Sequence, residues 1–267
     1  MNHFIEFNQS KNTGKYYFSI HTGSRNFGKT ICMYHVKKAK GLLEHKRKID
    51  LNDEIKELVK NTKDKTRINK LIDELKEKKG VKDAWYDLAY LEDDKMFDYL
   101  VDMIIAQKYA RYNTNTIIRI LLEILNTSIN DIIISTHNYI DFDDMIIRKG
   151  AIKSYSAQRM IIPFNMRDGS LICAGKSNPE WNYSAPHGAG RIMSRSEAKR
   201  RLQFSEFEKD MEGILSDSVC KSTIDEAPQV YKNPEEIERL IEPTAEVIDR
   251  LKVIRNFKDK SNDEREN

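Results

Sequence analysis

An α+β fold is what the residue pattern predicts, on two observations. Short runs rich in β-branched and aromatic residues recur along the chain, and two long blocks carry apolar residues at helical spacing among dense charge. The strand-like runs are Tyr16 to His21, Asp131 to Thr136, Met145 to Arg148, Arg159 to Pro163 and Ser170 to Ala174. The first ends at His21 and the turn-like Thr22-Gly23-Ser24-Arg25; the second reads as a short buried strand that delivers His137 and Asn138 at its end.

The first helical block runs from Lys29 to about His45 on Ile31, Val36, Ala39, Leu42 and Leu43. It continues into the Lys- and Glu-rich stretch 46–79, where Ile55, Leu58 and Val59, then Ile68, Leu71, Ile72 and Leu75, keep helical spacing and predict a projecting helical pair. The second block, Met96 to Leu125, is expected to bury most of the face formed by Leu100, Met103, Ile104, Gln107 and Tyr109. A helix through Arg200, capped by Ser194 or Ser196, should follow the glycine-rich segment 186–191, and a last helix should run from Pro234 to about Leu251. The domain reading is a single catalytic-sized domain over 1–258, with a helical insertion at about 46–80 and a disordered tail at 259–267.

Composition narrows the class. Among 267 residues, 39% are hydrophobic and 33% charged, which suits a folded domain with a solvated surface. The 45 basic and 42 acidic residues nearly cancel, so any affinity for nucleic acid must come from local patches. No apolar run approaches the roughly 18–20 residues of a membrane span, and the first ten residues lack a secretion signal, so no membrane partner and a cytoplasmic location are expected. Cys32, Cys173 and Cys220, odd in number and far apart, read as reduced, small buried residues.

Four histidines stand beside glycine, asparagine or turn residues: His3, His21, His137 and His187. Imidazole is both a common metal ligand and a nucleophile in its neutral form, so such residues at strand ends form a site if they converge and are structural if they do not. His35 and His45 lie in the charged helical block and read as structural. Gly188 and Gly190 allow backbone amides to approach a phosphate, and Arg191 offers a fork of donors; the same residues also suit a tight turn before a helix. Arg148-Lys149-Gly150-Ala151 reads as a basic turn. From the residues alone the inference ends at a candidate metal and phosphate site.

The segments NHFIE (2–6), HTGSR (21–25), DYLVDMIIAQKYA (98–110), HN (137–138), RKGA (148–151), PFNMRDGS (163–170), SAPHGAGRIMSR (184–195), DEAPQVYK (225–232) and RLKVIRNFK (250–258) occur in the order that resembles the RtcB family of RNA ligases, along nearly the whole chain. That resemblance implies an RtcB-like mixed sheet, with histidine loops converging on one cleft and helices outside. It implies that His187 is the histidine that attacks the α-phosphate of GTP and carries GMP, and that His3, His21 and His137 are ligands of a two-manganese centre. Asn2, Phe4, Ile5, Glu6, Asn138, Pro163, Phe164, Asn165, Met166, Ser170, Gly188, Ala189, Gly190 and Lys258 match positions that hold the guanine nucleotide. Arg25, Arg148, Lys149 and Arg191 are the candidates for RNA or phosphate contacts.

The implied activity joins RNA 3′-phosphate or 2′,3′-cyclic phosphate ends to 5′-hydroxyl ends, with tRNA halves or cleaved RNA as partners. Two local departures from the family pattern are Ile147, where many members have histidine, and the loop 164–169, which is poorer in glycine and serine. The family also carries an upstream Asp-x-x-Cys motif that this sequence does not contain, so the second metal site is expected to be incomplete here and a separate N-terminal fragment is the expected source of those ligands. The rival readings are a non-catalytic relic that binds nucleotide or RNA and assists another protein, and a metal-dependent phosphatase on the same scaffold.

Overall fold

The computed structural model describes residues 3–80 and 88–258; Asn2 and the tail from Asp259 lie outside the described residues. The chain divides into two compact units, one built from residues up to Thr22 and from Ile117 onward, the other from Gly23–Thr116.

The first unit is built on two sheets. Strands β1 (Phe4–Ser10) and β2 (Tyr16–His21) form a hairpin whose turn closes with Gly14 N–H donating to the Ser10 carbonyl at 3.1 Å. Strands β3 (His137–Asp141), β4 (Ile146–Lys153), β5 (Arg159–Pro163), β6 (Ser170–Gly175), β7 (Ser184–Pro186) and β8 (Ala245–Lys258) complete the set. The larger sheet has the order β2-β1-β8-β6-β5 and the smaller β3-β4-β7. All pairing between these strands is antiparallel, which corrects the expected mixed sheet; the short turns of the β1-β2, β3-β4 and β5-β6 hairpins permit nothing else. The α+β class itself is as predicted.

β8 is the main correction to the expected elements. Helix α6 (Pro234–Leu240) stops after seven residues, and the expected helical stretch to Leu251 is the first half of a 14-residue central strand. Its burial alternates, with Asp249, Leu251 and Val253 inside and Arg250 and Lys252 outside. Ile237, Ile241, Ile248 and Leu251 also fit a helical period, which is why the apolar spacing misled; Pro243 was the breaker, since it disfavours helix at the residue before it. β1 was not anticipated at all.

Two shorter segments also differ. Residues 131–136 form no strand: Ile132 and Ile134 are exposed, Asp131 takes the Arg159 guanidinium, and Ser135 Oγ accepts from Ile161 N–H at 3.0 Å, so β3 begins at His137 instead of ending there. The expected basic turn 148–151 lies inside β4, where Arg148 is buried.

One core cluster joins Ile152, Met160, Ile162, Leu171 and Ala245 from four strands to Ile237 and Ile241, from α6 and the turn after it. A second, around Met166, Phe207, Met211 and Ile224, lies under helices α4 (Arg195–Arg201) and α5 (Phe204–Asp210). Ser194 caps α4, accepting from Glu197 N–H at 3.2 Å, as predicted.

The second unit is helical. α1 (Arg25–Asn61) runs unbroken past residue 45 into the charged stretch, and α2 (Lys65–Gly80) follows it. In α3 (Asp93–Leu125) only Ala106 is buried, so the expected buried face is half-exposed and Tyr109 is 46% exposed. Cys173 is buried as expected, whereas Cys32 is exposed and Cys220 intermediate; all three are free thiols.

Candidate functional site

Strand pairing in the first unit brings the dispersed histidines together. His3 immediately precedes β1, and antiparallel register sets Phe4 opposite His21, so the His3 and His21 rings lie edge to face with centroids 6.4 Å apart. His21 meets His137 at 5.0 Å, and His137 stacks on His187 at 4.7 Å and 29°. The four rings form one row.

Burial, then the neighbouring imidazoles, pushes His21 down to about 4; burial and His187 do the same to His137, also to about 4. Both rings are therefore neutral at pH 7 and keep a nitrogen lone pair for a Lewis acid.

His187 is oriented by backbone. β4 pairs with β7 so that Ala151 faces Pro186, which sets the Gly150 carbonyl 2.8 Å from His187 Nδ1. A carbonyl can only accept, so Nδ1 carries the proton and Nε2 keeps the lone pair. Asn138 Oδ1 in turn accepts from Gly150 N–H at 2.9 Å, and Gly150 has the left-handed φ of +69° that glycine adopts without strain. Gly188 passes so close to the Pro163 carbonyl that a Cβ there would sit 2.9 Å from that oxygen, and Ala189 N–H donates to the same carbonyl at 3.1 Å. The 163–170 loop and the His187 loop are thus held against each other.

A buried polar ladder runs beside this row on the large sheet. Cross-strand neighbours Glu6 and Asn256 are joined by Asn256 Nδ2 donating to Glu6 Oε1 at 2.7 Å, and Asn8 Nδ2 donates to Ser19 Oγ at 3.0 Å. Burial pushes the Glu6 carboxyl up to about 7 against the opposing pull of Lys258 and Asn256, and its Oε2 is buried without a hydrogen-bond partner. Lys258, opposite Phe4 in register, donates to Glu226 Oε2 at 3.1 Å. Burial lowers the Lys258 pKa, and Glu226 and Glu6 counter it.

The other expected residues divide. Phe4, Ile5, Asn138, Pro163, Ser170, Gly188, Ala189, Gly190 and Lys258 all belong to the strand-rich unit, with Ser170 and Ala189 buried; Phe164, Asn165 and Met166 are buried in the 163–170 loop. Arg148, expected to contact RNA from a surface turn, instead puts a buried guanidinium 2.8 Å from Asp141. Arg191 donates to the carbonyls of Asp225 (2.6 Å) and Met193 (3.1 Å) and lies over the Tyr231 ring. Lys149 is exposed on β4, and Arg25 opens α1 in the helical unit. Sequence reasoning missed Asn256, Glu226, Asp225 and Arg195; all four lie in quoted motif segments, but their only further signal is charge or amide.

For a divalent ion, neutral imidazoles are suitable donors. Among the described residues, however, no group of three or more His, Cys, Asp or Glu side chains is placed to hold one, so the two-ion set is not complete within them. For a nucleotide, the unpartnered Glu6 Oε2, the Lys258 ammonium and the glycine-bordered His187 loop are a consistent donor and acceptor set. Among the described residues no helix is long and apolar enough to cross a membrane.

Comparison with known proteins follows the same residues. The chain is 26% identical over 265 residues to the RNA-splicing ligase RtcB of Escherichia coli K12, an alignment covering 95% of this chain and 58% of that protein. It is 30% identical over 194 residues to the RNA-splicing ligase RtcB1 of Escherichia coli ATCC 25922, covering 63% of this chain and 46% of the relative. It is 34% identical over 111 residues to the tRNA-splicing ligase RtcB of Aeropyrum pernix, covering 35% and 23%. The chain thus spans about half the length of the two E. coli relatives. The family profile described as tRNA-splicing ligase RtcB matches residues 1–259, and the chain belongs to the RtcB family.

Proposed function

We propose that this chain carries the guanylated histidine of an RNA ligase that joins 3′-phosphate or 2′,3′-cyclic phosphate ends to 5′-hydroxyl ends, using GTP and manganese. The observation that carries this reading is His187, whose Nδ1 is bound to the Gly150 carbonyl so that Nε2 is the nucleophilic nitrogen. Nε2 attacks the α-phosphorus of GTP; an N–P bond forms, the bond to the β-phosphate oxygen breaks, and pyrophosphate leaves. The positive charge that develops on the ring is met by the Gly150 carbonyl. A 2′,3′-cyclic end is first opened by water to the 3′-phosphate; the GMP group then passes to that 3′-phosphate, freeing His187, and the 5′-hydroxyl oxygen attacks the activated phosphorus, losing its proton as GMP leaves.

Lys258 and Glu6 serve as charged partners of the nucleotide, and the Gly188 and Gly190 amides, on either side of the Ala189 amide that donates to the Pro163 carbonyl, serve its phosphates. His3, His21 and His137 are the residues that would hold manganese, which when bound offsets triphosphate charge. Lys149, exposed on β4, is the basic residue of the strand-rich unit offered to RNA, and Arg25 remains a separate candidate on the helical unit.

The test is incubation with α-phosphate-labelled GTP and manganese, with a fragment bearing the Asp-x-x-Cys motif supplied. Wild-type chain should take up label that is acid-labile and alkali-stable, as a phosphoramidate is, and His187→Ala should take up none. Equal labelling of the two proteins removes His187 from this role.

A further inference from the structure

Lys258 closes β8 with a buried ammonium, and its surroundings are uneven. On one side Glu226 accepts from Lys258 Nζ at 3.1 Å, the two side chains being 7% and 5% exposed. That carboxylate is itself fixed from three other places in the chain, with Arg191 Nη1 3.6 Å from Oε1. Tyr231 OH donates to Oε2 at 2.6 Å, and Arg195 Nη1 lies 2.7 Å from Oε1 while also binding Asp225. Glu6, one strand away on β1, has no hydrogen bond to Lys258.

A buried ammonium without a carboxylate beside it gives up its proton, and the four-carbon lysine stem is flexible. Glu226 addresses both. Burial works against its charge, yet Lys258, Tyr231 and Arg195 together hold its carboxyl below the usual range, so it is an anion beside the ammonium.

We propose that Glu226 is a positioning residue: braced by Tyr231 and Arg195, it holds the Lys258 ammonium in one place, with its remaining N–H donors left for acceptors on the nucleotide. The inference rests on the nucleotide-binding reading of Lys258 above. A purely structural Glu226 would support the packing of β8 against α4 without acting on the ligand, and the two roles differ in how Glu226 and Lys258 couple.

The full chain is prepared as wild type, Glu226→Gln, Lys258→Met and the double variant. GTP binding is followed by calorimetry, and folding by circular dichroism and thermal melting. Each single variant should weaken GTP binding about tenfold or more, the usual consequence of losing a charged hydrogen bond. The double variant should bind no more weakly than the worse single one, because Glu226 acts through Lys258. A folded Glu226→Gln protein that binds as wild type, or losses that multiply in the double variant, overturns the proposal.

A second measurement does not depend on the ligand. The 15N ammonium resonance of Lys258 should be protected from exchange in the wild type and lost in Glu226→Gln; an unchanged resonance overturns the positioning role. Wild-type chain that binds no GTP would sink the proposed function instead, and the lysine resonance would then decide this inference alone. If Glu226→Gln does not fold, Tyr231→Phe gives the same reading more gently: it removes one brace, and the Lys258 resonance should broaden.

Discussion

His35 in the helical unit and His187 in the strand-rich unit are both held by a single oxygen, at the same 2.8 Å, and differ in everything around that contact. His35 is 3% exposed, gives Nε2 to Asp102 and is flanked by the rings of Tyr34 and Tyr99; its other nitrogen is buried in the helical packing. His187 gives Nδ1 to a backbone carbonyl and stacks on His137 at the end of the row of rings. A histidine's role follows from what its second nitrogen meets. The contrast extends to the units: the strand-rich one buries a polar ladder of Glu6, Asn8, Ser19 and Asn256, whereas among the described residues α1 and α3 bury only His35, Ala39 and Ala106.

The sharpest way to break this comparison is to exchange the two histidines' fates. His187→Ala should abolish covalent labelling by GTP with little change in thermal melting. His35→Ala should label as wild type while costing about 1.5–3 kcal/mol of stability, the range for a lost hydrogen bond to a charged group, toward the lower end because Asp102 can reach water. Loss of labelling in a folded His35→Ala protein would erase the distinction.

Stability should divide in the same way. Ile162, fully buried in the strand core, should cost about 2–5 kcal/mol when cut to alanine. Ile105 on α3, 47% exposed, should cost within about 0.5 kcal/mol. Urea unfolding of the two variants decides it, and equal losses would mean the helical unit is packed far more tightly than its burial shows.

The pH dependence should arise from the strand-rich unit, with two opposing parts. His21 and His137, held near 4 in the fold against an ordinary 6.5, leave the unfolded chain binding more protons between those values, so their contribution to stability is full above 6.5 and is lost as pH falls toward 4. Glu6, raised from 4.5 to about 7, has the opposite sign: its contribution is full below 4.5 and is lost as pH rises through 7. Glu6→Gln should therefore steepen the gain in stability between pH 4 and 7, measured by urea midpoint. A flatter profile in that variant would contradict the buried state of Glu6.

The smallest effect belongs to the helical unit. Gly41 lies within α1, where an added Cβ meets nothing within 4 Å, so Gly41→Ala should raise the melting temperature through a gain of about 0.5–1 kcal/mol. Gly169→Ala is its counterpart in the strand-rich unit: the Cβ would lie 2.0 Å from the Leu251 carbonyl oxygen, at φ +77°, and should destabilise.

Local pattern was enough for β2, β5 and the capped helix after Ser194, because alternation, β-branching and a serine before an acidic turn act within a few residues. It was enough as well for the helical character of the charged stretch 46–79 and for the position of His21 at a strand end. It failed at Ala245–Leu251, where the same apolar residues satisfy either period and the choice fell to two neighbours, β1 and β6, that offered their open edges. It failed again at residues 131–136, whose isoleucines are apolar enough for a buried strand but stay exposed, the segment meeting β5 through the side chains of Asp131 and Ser135 instead of a backbone ladder.

The residue types of the site were therefore set by sequence alone: four histidines beside turn residues, a glycine-bordered loop, and Lys258. Tertiary structure decided what sequence distance concealed. It made a row of rings from positions 3, 21, 137 and 187, assigned the His187 proton to Nδ1 through a carbonyl 37 residues away, and withdrew Arg148 into an ion pair with Asp141. The physical reason is that strand register and burial are non-local: which oxygen faces a nitrogen, and whether a charge is solvated, depend on segments that meet only when the sheets close.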